Sequence, residues 1–138
     1  MSINNDKWKA IYTVCFSTIH DNYLTWLQYK ILTRILGVKV LLAELNIMSD
    51  SQCRLCGTQN ETLLHLFCEC SKVAPLWQNI STWIYNRINL RINMEKENIL
   101  LGLLGNTNYN RPVNTIILAT KGYIFGCCRQ KKYQTFLL

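Results

Sequence analysis

Three thiols and one imidazole are spaced Cys53-x2-Cys56-x8-His65-x4-Cys70. Four such donors can close a tetrahedral zinc shell, and structural zinc sites often open on a C-x2-C pair. The two residues between Cys53 and Cys56 make a tight turn that points both sulfurs inward. Gly57, directly after it, can take the positive φ that such a turn needs. His65 and Cys70 fall in a stretch of helical character, where four intervening residues bring two ligands back toward one side. A zinc held by four protein ligands keeps no open position for a substrate, so the motif points to binding rather than chemistry.

The remaining cysteines leave alternatives. Cys68 lies two residues before Cys70 and is a substitute ligand, although its x2 spacing from His65 is short and favours Cys70. A disulfide framework competes with zinc. It fits poorly with an odd count of seven cysteines and with residues 1–14, which are polar and charged and lack the apolar stretch of a secretory signal. The expected location is therefore the nucleus or the cytoplasm. Two Asn-x-Ser/Thr sequons, at Asn60 and Asn79, read as accidental. Cys15 reads as a core residue on the first helix, Cys127-Cys128 as a buried pair of small residues, and His20 as a loop residue.

Fifteen Lys/Arg against eight Asp/Glu leave a charge of +7. A zinc with three thiolates changes this by −1, to +6. A basic balance suits nucleic acid or another anionic partner. The cations are unevenly placed. Residues 98–138 hold Arg111, Lys121, Arg129, Lys131 and Lys132 and no acid, which is either a solvated basic face or a phosphate-binding one. Only 17% of residues are charged, a low share that suggests a piece packing against something larger. The longest apolar stretch, Val113 to Cys128, is interrupted by Asn114, Lys121 and two glycines and is too short to span a membrane.

Helical periodicity organises the rest, and no alternating strand pattern is evident. Trp8, Ile11, Tyr12, Cys15 and Ile19 share one face of a first helix, with Asn5-Asp6 as its capping region. A second helix starts near Asn22 with Leu24, Leu27, Ile31 and Ile35 as its stripe. Gly37 ends or kinks it, and Val38, Leu41, Leu42 and Leu45 continue the apolar packing. Asn60 is expected to cap a helix whose first turn carries Glu61. That helix breaks near residues 71–74 and restarts with Pro75 in a first turn, running to about Asn89. A short helix over 94–104, a loop over 106–112 and a final helix over 113–132, weakened at Gly122 and Gly126, complete the chain. The expected fold is a small all-α domain with a Cys-Cys-His-Cys knuckle-like loop inserted between helices. It forms one domain over 1–138: N-terminal helices over 1–48, a zinc-binding core over 49–90 and a C-terminal helical tail over 91–138.

Binding residues are read from the same pattern. Tyr23, Trp26, Lys30 and Arg34 form a second stripe on the second helix, where aromatics can stack bases while cations pair phosphates. The alternative is that the basic stems merely cover half-buried rings. Arg54 and Leu55, between the first two zinc ligands, are further contact candidates. The acids are scattered, without the paired carboxylates of a two-metal site, and no P-loop or nucleotide fingerprint occurs. An enzyme is not expected.

Longer segments of the chain resemble a known family. Residues 24–36, Leu-Thr-Trp-Leu-Gln-Tyr-Lys-Ile-Leu-Thr-Arg-Ile-Leu, lead through Leu41, Leu45 and Ser49-Asp50 into the Cys-x2-Cys pair. Glu61-Thr-Leu-Leu-His-Leu-Phe67, Cys70 and Trp77 follow. This resembles the zinc-binding region downstream of the reverse transcriptase in non-LTR (LINE-type) retrotransposon polyproteins, over about residues 8–84. Leu100-Leu-Gly and Ile116-Ile-Leu-Ala-Thr-Lys-Gly-Tyr-Ile resemble the end of the second open reading frame of such elements. The resemblance implies a nucleic-acid-binding accessory region that holds RNA, and DNA, beside a reverse transcriptase core, with Cys53, Cys56, His65 and Cys70 in the family's ligand positions. Cys68 departs from the family pattern. A polymerase is missing, and the carboxylate-and-lysine set of a restriction-like endonuclease is absent after Cys70, which suggests the C-terminal piece of an element, a degraded copy or a short gene model.

Overall fold

The computed structural model describes residues 4–17, 20–105 and 107–130, with the backbone alone for Cys15. The expectations for the Cys15 side chain, Ile19, Asn106, Lys131 and Lys132 fall outside these residues. Among the described residues the chain is helical without a named strand. The elements are α1 (Asn5–Ser17), α2 (Asn22–Leu32), α3 (Lys39–Glu44), a π-helical turn (His65–Glu69), α4 (Ala74–Ile88), α5 (Lys96–Leu101) and α6 (Asn110–Gln130). A single bridge, Gln52 to Asn60, closes the loop that carries the first two cysteines. The all-α expectation with a knuckle between helices is met.

Capping places the first two helices. Asn4, one residue before the expected region, accepts from Lys7 N at 2.8 Å and starts α1. Asp21 does the same for α2 through Leu24 N at 2.9 Å. Ile11, Leu27 and Ile31 then turn inward and are buried. The end of α2 differs from the expectation. Arg34, rather than Gly37, takes the left-handed conformation, with φ of 60°. The chain therefore leaves the helix before Ile35, which is 52% exposed instead of extending the apolar stripe. Leu45 is likewise 58% exposed, because α3 ends at Glu44 and Asn46 turns the chain at φ 57°.

One apolar cluster joins α2 to the final helix through the cysteine segment. It includes Leu27 and Ile31 from α2, Leu66 and Phe67 from the π turn, Trp77 and Ile84 from α4, and Ile117 and Ile124 from α6. As expected, α4 restarts with a proline in its first turn; it ends on Asn89 at φ 54°. The final helix begins earlier than expected, at Asn110, and runs unbroken through Gly122 and Gly126. Gly122 is a point of close approach rather than weakness. A Cβ there would sit 2.5 Å from Leu24 Cδ2 on α2.

Lys121, counted above as part of a basic tail, is 1% exposed. Its ammonium reaches Gln28 Oε1 and the carbonyl of Leu100 near the C-terminal end of α5, while Gln28 Nε2 donates to the same carbonyl at 2.8 Å. It neutralises a buried helix end and is lost to any solvent-facing charge. Among the described residues no helix is long and apolar enough to cross a membrane.

The two leucine placements separate cleanly on mutation. Leu27→Ala empties a fully buried site and should cost roughly 2–5 kcal/mol of unfolding free energy. Leu45→Ala, on the surface, should change it by less than about 0.5 kcal/mol. Urea denaturation of the zinc-loaded protein checks both. Equal effects would mean that Leu45 packs as the sequence pattern suggested.

Candidate metal centre

The cysteine loop folds around its own sulfurs. Gln59 O accepts from Cys53 N at 2.7 Å, and Cys53 O accepts from Gly57 N at 2.9 Å. Leu55 N donates to Cys53 Sγ at 3.4 Å, and Thr58 Oγ1 donates to Cys56 Sγ at 3.4 Å. Gly57 stands at φ 70°, as the turn required. The amide and hydroxyl donors aimed at sulfur stabilise thiolates, the form that binds metal.

The other two ligands come from the π turn. Residues five apart on an α-helix lie about 140° apart, since each residue advances about 100°, so, contrary to the expectation from their spacing, an ordinary helix would separate His65 from Cys70. Instead Cys70 N donates to His65 O at 2.7 Å, an i→i+5 bond that widens the turn. The turn begins at Thr62, not Asn60: Thr62 Oγ1 accepts from His65 N at 3.0 Å and Thr62 O from Leu66 N at 2.9 Å. Trp77 Nε1 donates to Phe67 O at 2.6 Å and pins the turn to α4.

Cys53, Cys56, His65 and Cys70 converge, with one ligand atom of each within 4.8 Å of all the others. Cys53 Sγ and Cys70 Sγ are 3.9 Å apart, and Cys56 Sγ and His65 Nε2 are 3.4 Å apart. Metal–ligand bonds of about 2.3 Å to sulfur and 2.0–2.1 Å to nitrogen give tetrahedral edges of about 3.8 Å (S–S) and 3.6 Å (S–N). Both separations match such a shell. His65 Nδ1 is buried without a hydrogen-bond partner. The ring therefore takes its polar partners entirely on the side that faces the sulfurs.

Close contact couples the protonation of the cluster's members. The contact with Cys70 holds the Cys53 pKa down at about 5, against the effect of burial. The same contact, with burial, pushes Cys70 up. Burial also pushes Cys56 upward, but hydrogen bonds from Thr58 prevail and lower it. Burial works against the His65 cation, and the neighbouring Cys56 and Cys53 outweigh it and raise the pKa. Cys68 is different. Burial raises it to about 12, and it faces a separate cavity with Trp77, Met94 and Ile99. Cys70, not Cys68, completes the cluster.

Arg54 does not project from the loop tip as a contact residue. Its Nη2 is 2.6 Å from Glu61 Oε1, its Nε lies 3.1 and 3.2 Å from the two carboxylate oxygens, and Nη2 also donates to Gly37 O at 3.0 Å. Glu61 is completely buried. Besides the guanidinium it accepts from Arg54 N at 2.8 Å and Lys39 N at 3.0 Å, and Cys128 Sγ of α6 lies 3.7 Å away. This carboxylate ties the cysteine loop to the turn after α2, to the start of α3 and to α6. Leu55, the other loop candidate, is buried in the core. The role of Glu61 was missed because an acid after a polar loop reads as a solvated cap; its one signal is the Arg54 cation inside the Cys-x2-Cys turn.

The stripe on α2 divides. Lys30 Nζ lies 3.4 Å from the centroid of the Trp26 ring, which is 50% exposed. Arg34 lies beyond the helix end and lines a different groove with Trp8, Leu32 and Val38.

A family model described as zinc-binding in reverse transcriptase matches residues 1–77, more than half of the 138-residue chain. The chain belongs to this family. Among curated proteins none matches it. For a zinc-binding domain of this reverse transcriptase family, three thiols and one imidazole at tetrahedral spacing are a fitting donor set, and zinc is the metal that they suit.

Two outcomes test this arrangement. Cys70→Ser should abolish stoichiometric zinc retention and Cys68→Ser should preserve it, as read by native mass spectrometry; the reverse pattern would make Cys68 the ligand. Glu61→Gln leaves Arg54 buried without its counter-charge and should cost roughly 3–5 kcal/mol in denaturation of the zinc-loaded protein. A loss below about 1 kcal/mol would show that the pair carries no structural weight.

Proposed function

We propose that this domain is the nucleic-acid-binding zinc module of a LINE-type retrotransposon reverse transcriptase polyprotein. It holds RNA or single-stranded DNA beside the polymerase and catalyses no reaction of its own. The observation that carries the reading is the exposed aromatic cluster on α2. Trp26 bears the Lys30 ammonium on its ring, and Tyr23, Tyr29 and Phe16 of α1 are also exposed. Stacking platforms with cations beside them suit single strands, whose bases are free to stack and whose phosphates need neutralising. The net charge of +7 favours the same partner. The Glu61-Thr-Leu-Leu-His-Leu-Phe67 run through the zinc site supports the LINE-type assignment within the family. A zinc closed by four protein ligands supports a structural rather than catalytic metal.

A second reading has its own support. A groove of about 710 Å³ is lined by apolar residues that include Trp8, Leu32, Val38, Leu41, Leu64 and Leu101. Such a surface suits docking on the polymerase core, with the zinc serving only to fold the cap.

Binding of labelled RNA and DNA oligonucleotides to the zinc-loaded protein at graded salt discriminates the two. Trp26→Ala should weaken binding roughly 5-fold or more, and Lys30→Ala should reduce the salt slope by about 1. No retention of either strand at low salt would remove the nucleic-acid reading and leave the docking one.

A further inference from the structure

A second set of ring–cation pairs lies on α4 and the residues just after it, almost wholly beyond the residues that the family model matches. The guanidinium carbon of Arg87 is 5.2 Å from the centroid of the Trp83 ring, and that of Arg91 is 5.4 Å from the Tyr85 ring. Trp83 is 50% exposed and Tyr85 is exposed as well. Neither ring is needed to close the core, which takes Trp77 and Ile84 from this helix instead. Both rings are therefore left available to a partner.

Charge narrows that partner. From Cys70 to Met94 the chain carries Lys72, Arg87 and Arg91 and not one acid. The face is therefore attractive to an anion, and its cations have no acidic neighbour within the segment. Phosphate alone would need cations but no rings; an apolar protein surface would need rings but no unopposed cations. Both together match a polymer of alternating phosphates and flat apolar faces. Bases also stack on guanidinium planes as they do on aromatic ones.

Helical geometry sets how a strand would run. Trp83 and Tyr85 are two residues apart, so their side chains leave α4 about 160° apart, on opposite flanks. The ridge between them carries exposed Thr82 and Asn86, which are polar and uncharged. A duplex is too wide and too stiff to place bases on both flanks, whereas a flexible single strand can cross the last turns of the helix over Asn86 and stack once on each side.

We infer that the C-terminal half of α4, with Arg91 just beyond its end, forms through the Trp83–Arg87 and Tyr85–Arg91 pairs a second binding surface for single-stranded nucleic acid, separate from the α2 cluster. This deepens the nucleic-acid reading proposed above and rests on it.

The test uses the zinc-loaded full chain and fluorescence anisotropy with a labelled oligouridylate, an oligothymidylate and a duplex of matched length. Trp83→Ala and Tyr85→Ala should each weaken single-strand binding roughly 5- to 100-fold, with zinc content and circular dichroism unchanged. Arg87→Lys, which keeps the charge and loses the plane, should fall between wild type and Arg87→Ala. A photoreactive thiouridine strand should crosslink to the peptide that contains residues 83–91. If the wild type binds strands but Trp83→Ala and Tyr85→Ala bind equally well, this surface is refuted and the α2 reading stands. If the wild type binds no strand, both fall. Unchanged strand binding with lost association to the polymerase core would assign the face to a protein and likewise overturn the inference.

Discussion

Tetrahedral closure around one ion is the constraint on which the rest of this domain depends. The ligand atoms must approach within about 4 Å of one another, yet the chain supplies them from two elements of different kind. One is a sulfur-centred turn stabilised by Gly57 in the left-handed region. The other is a helical turn, and there the geometry of an α-helix is wrong, because it would set His65 and Cys70 about 140° apart. The π turn resolves the conflict with one wider hydrogen bond, Cys70 N to His65 O. Wide turns of this kind are poorly packed on their own. The Trp77 indole, donating to Phe67 O from α4, and the Thr62 cap at the other end hold it in place.

The metal loop is joined to the helices by charge as well as by apolar contact. Burying Glu61 and Arg54 costs desolvation that only a well-formed pair can offset. Here the carboxylate oxygens accept from the guanidinium, from Arg54 N and from Lys39 N, so the charge is satisfied from several directions. Folding of the cysteine turn therefore also sets the start of α3 and the face of α6 beside Cys128. The consequence for function is that Arg54 is spent inside the fold. Cations available to a partner lie elsewhere, on α2 and α4.

Much of this was legible in the residues. The ligand quartet, the glycine after it, the helical character and the restart at Pro75 all follow from local rules of spacing and backbone preference. Other features follow from contacts distant in sequence. A buried Arg54–Glu61 pair contradicts the habit of placing charges on the surface, and only the Arg54 cation inside the Cys-x2-Cys turn marks the exception. Lys121 looked like one more tail cation until α2 and α5 were packed around it. Arg34 in the left-handed region ends α2 before the stripe reaches Ile35, which periodicity alone extends. Gly122 reads as a weak point in a helix, although its missing side chain is what admits Leu24. The Trp83–Arg87 pair was readable in principle, since it repeats the i, i+4 spacing of Trp26 and Lys30.

Every other inference presumes that Cys53, Cys56, His65 and Cys70 close around one zinc with no exchangeable ligand. X-ray absorption at the zinc edge of the purified protein tests this most directly. Three sulfurs at about 2.3 Å and one nitrogen at about 2.0–2.1 Å are the expected shell. A water oxygen in that shell, or four sulfurs with Cys68 in place of His65, would contradict the account.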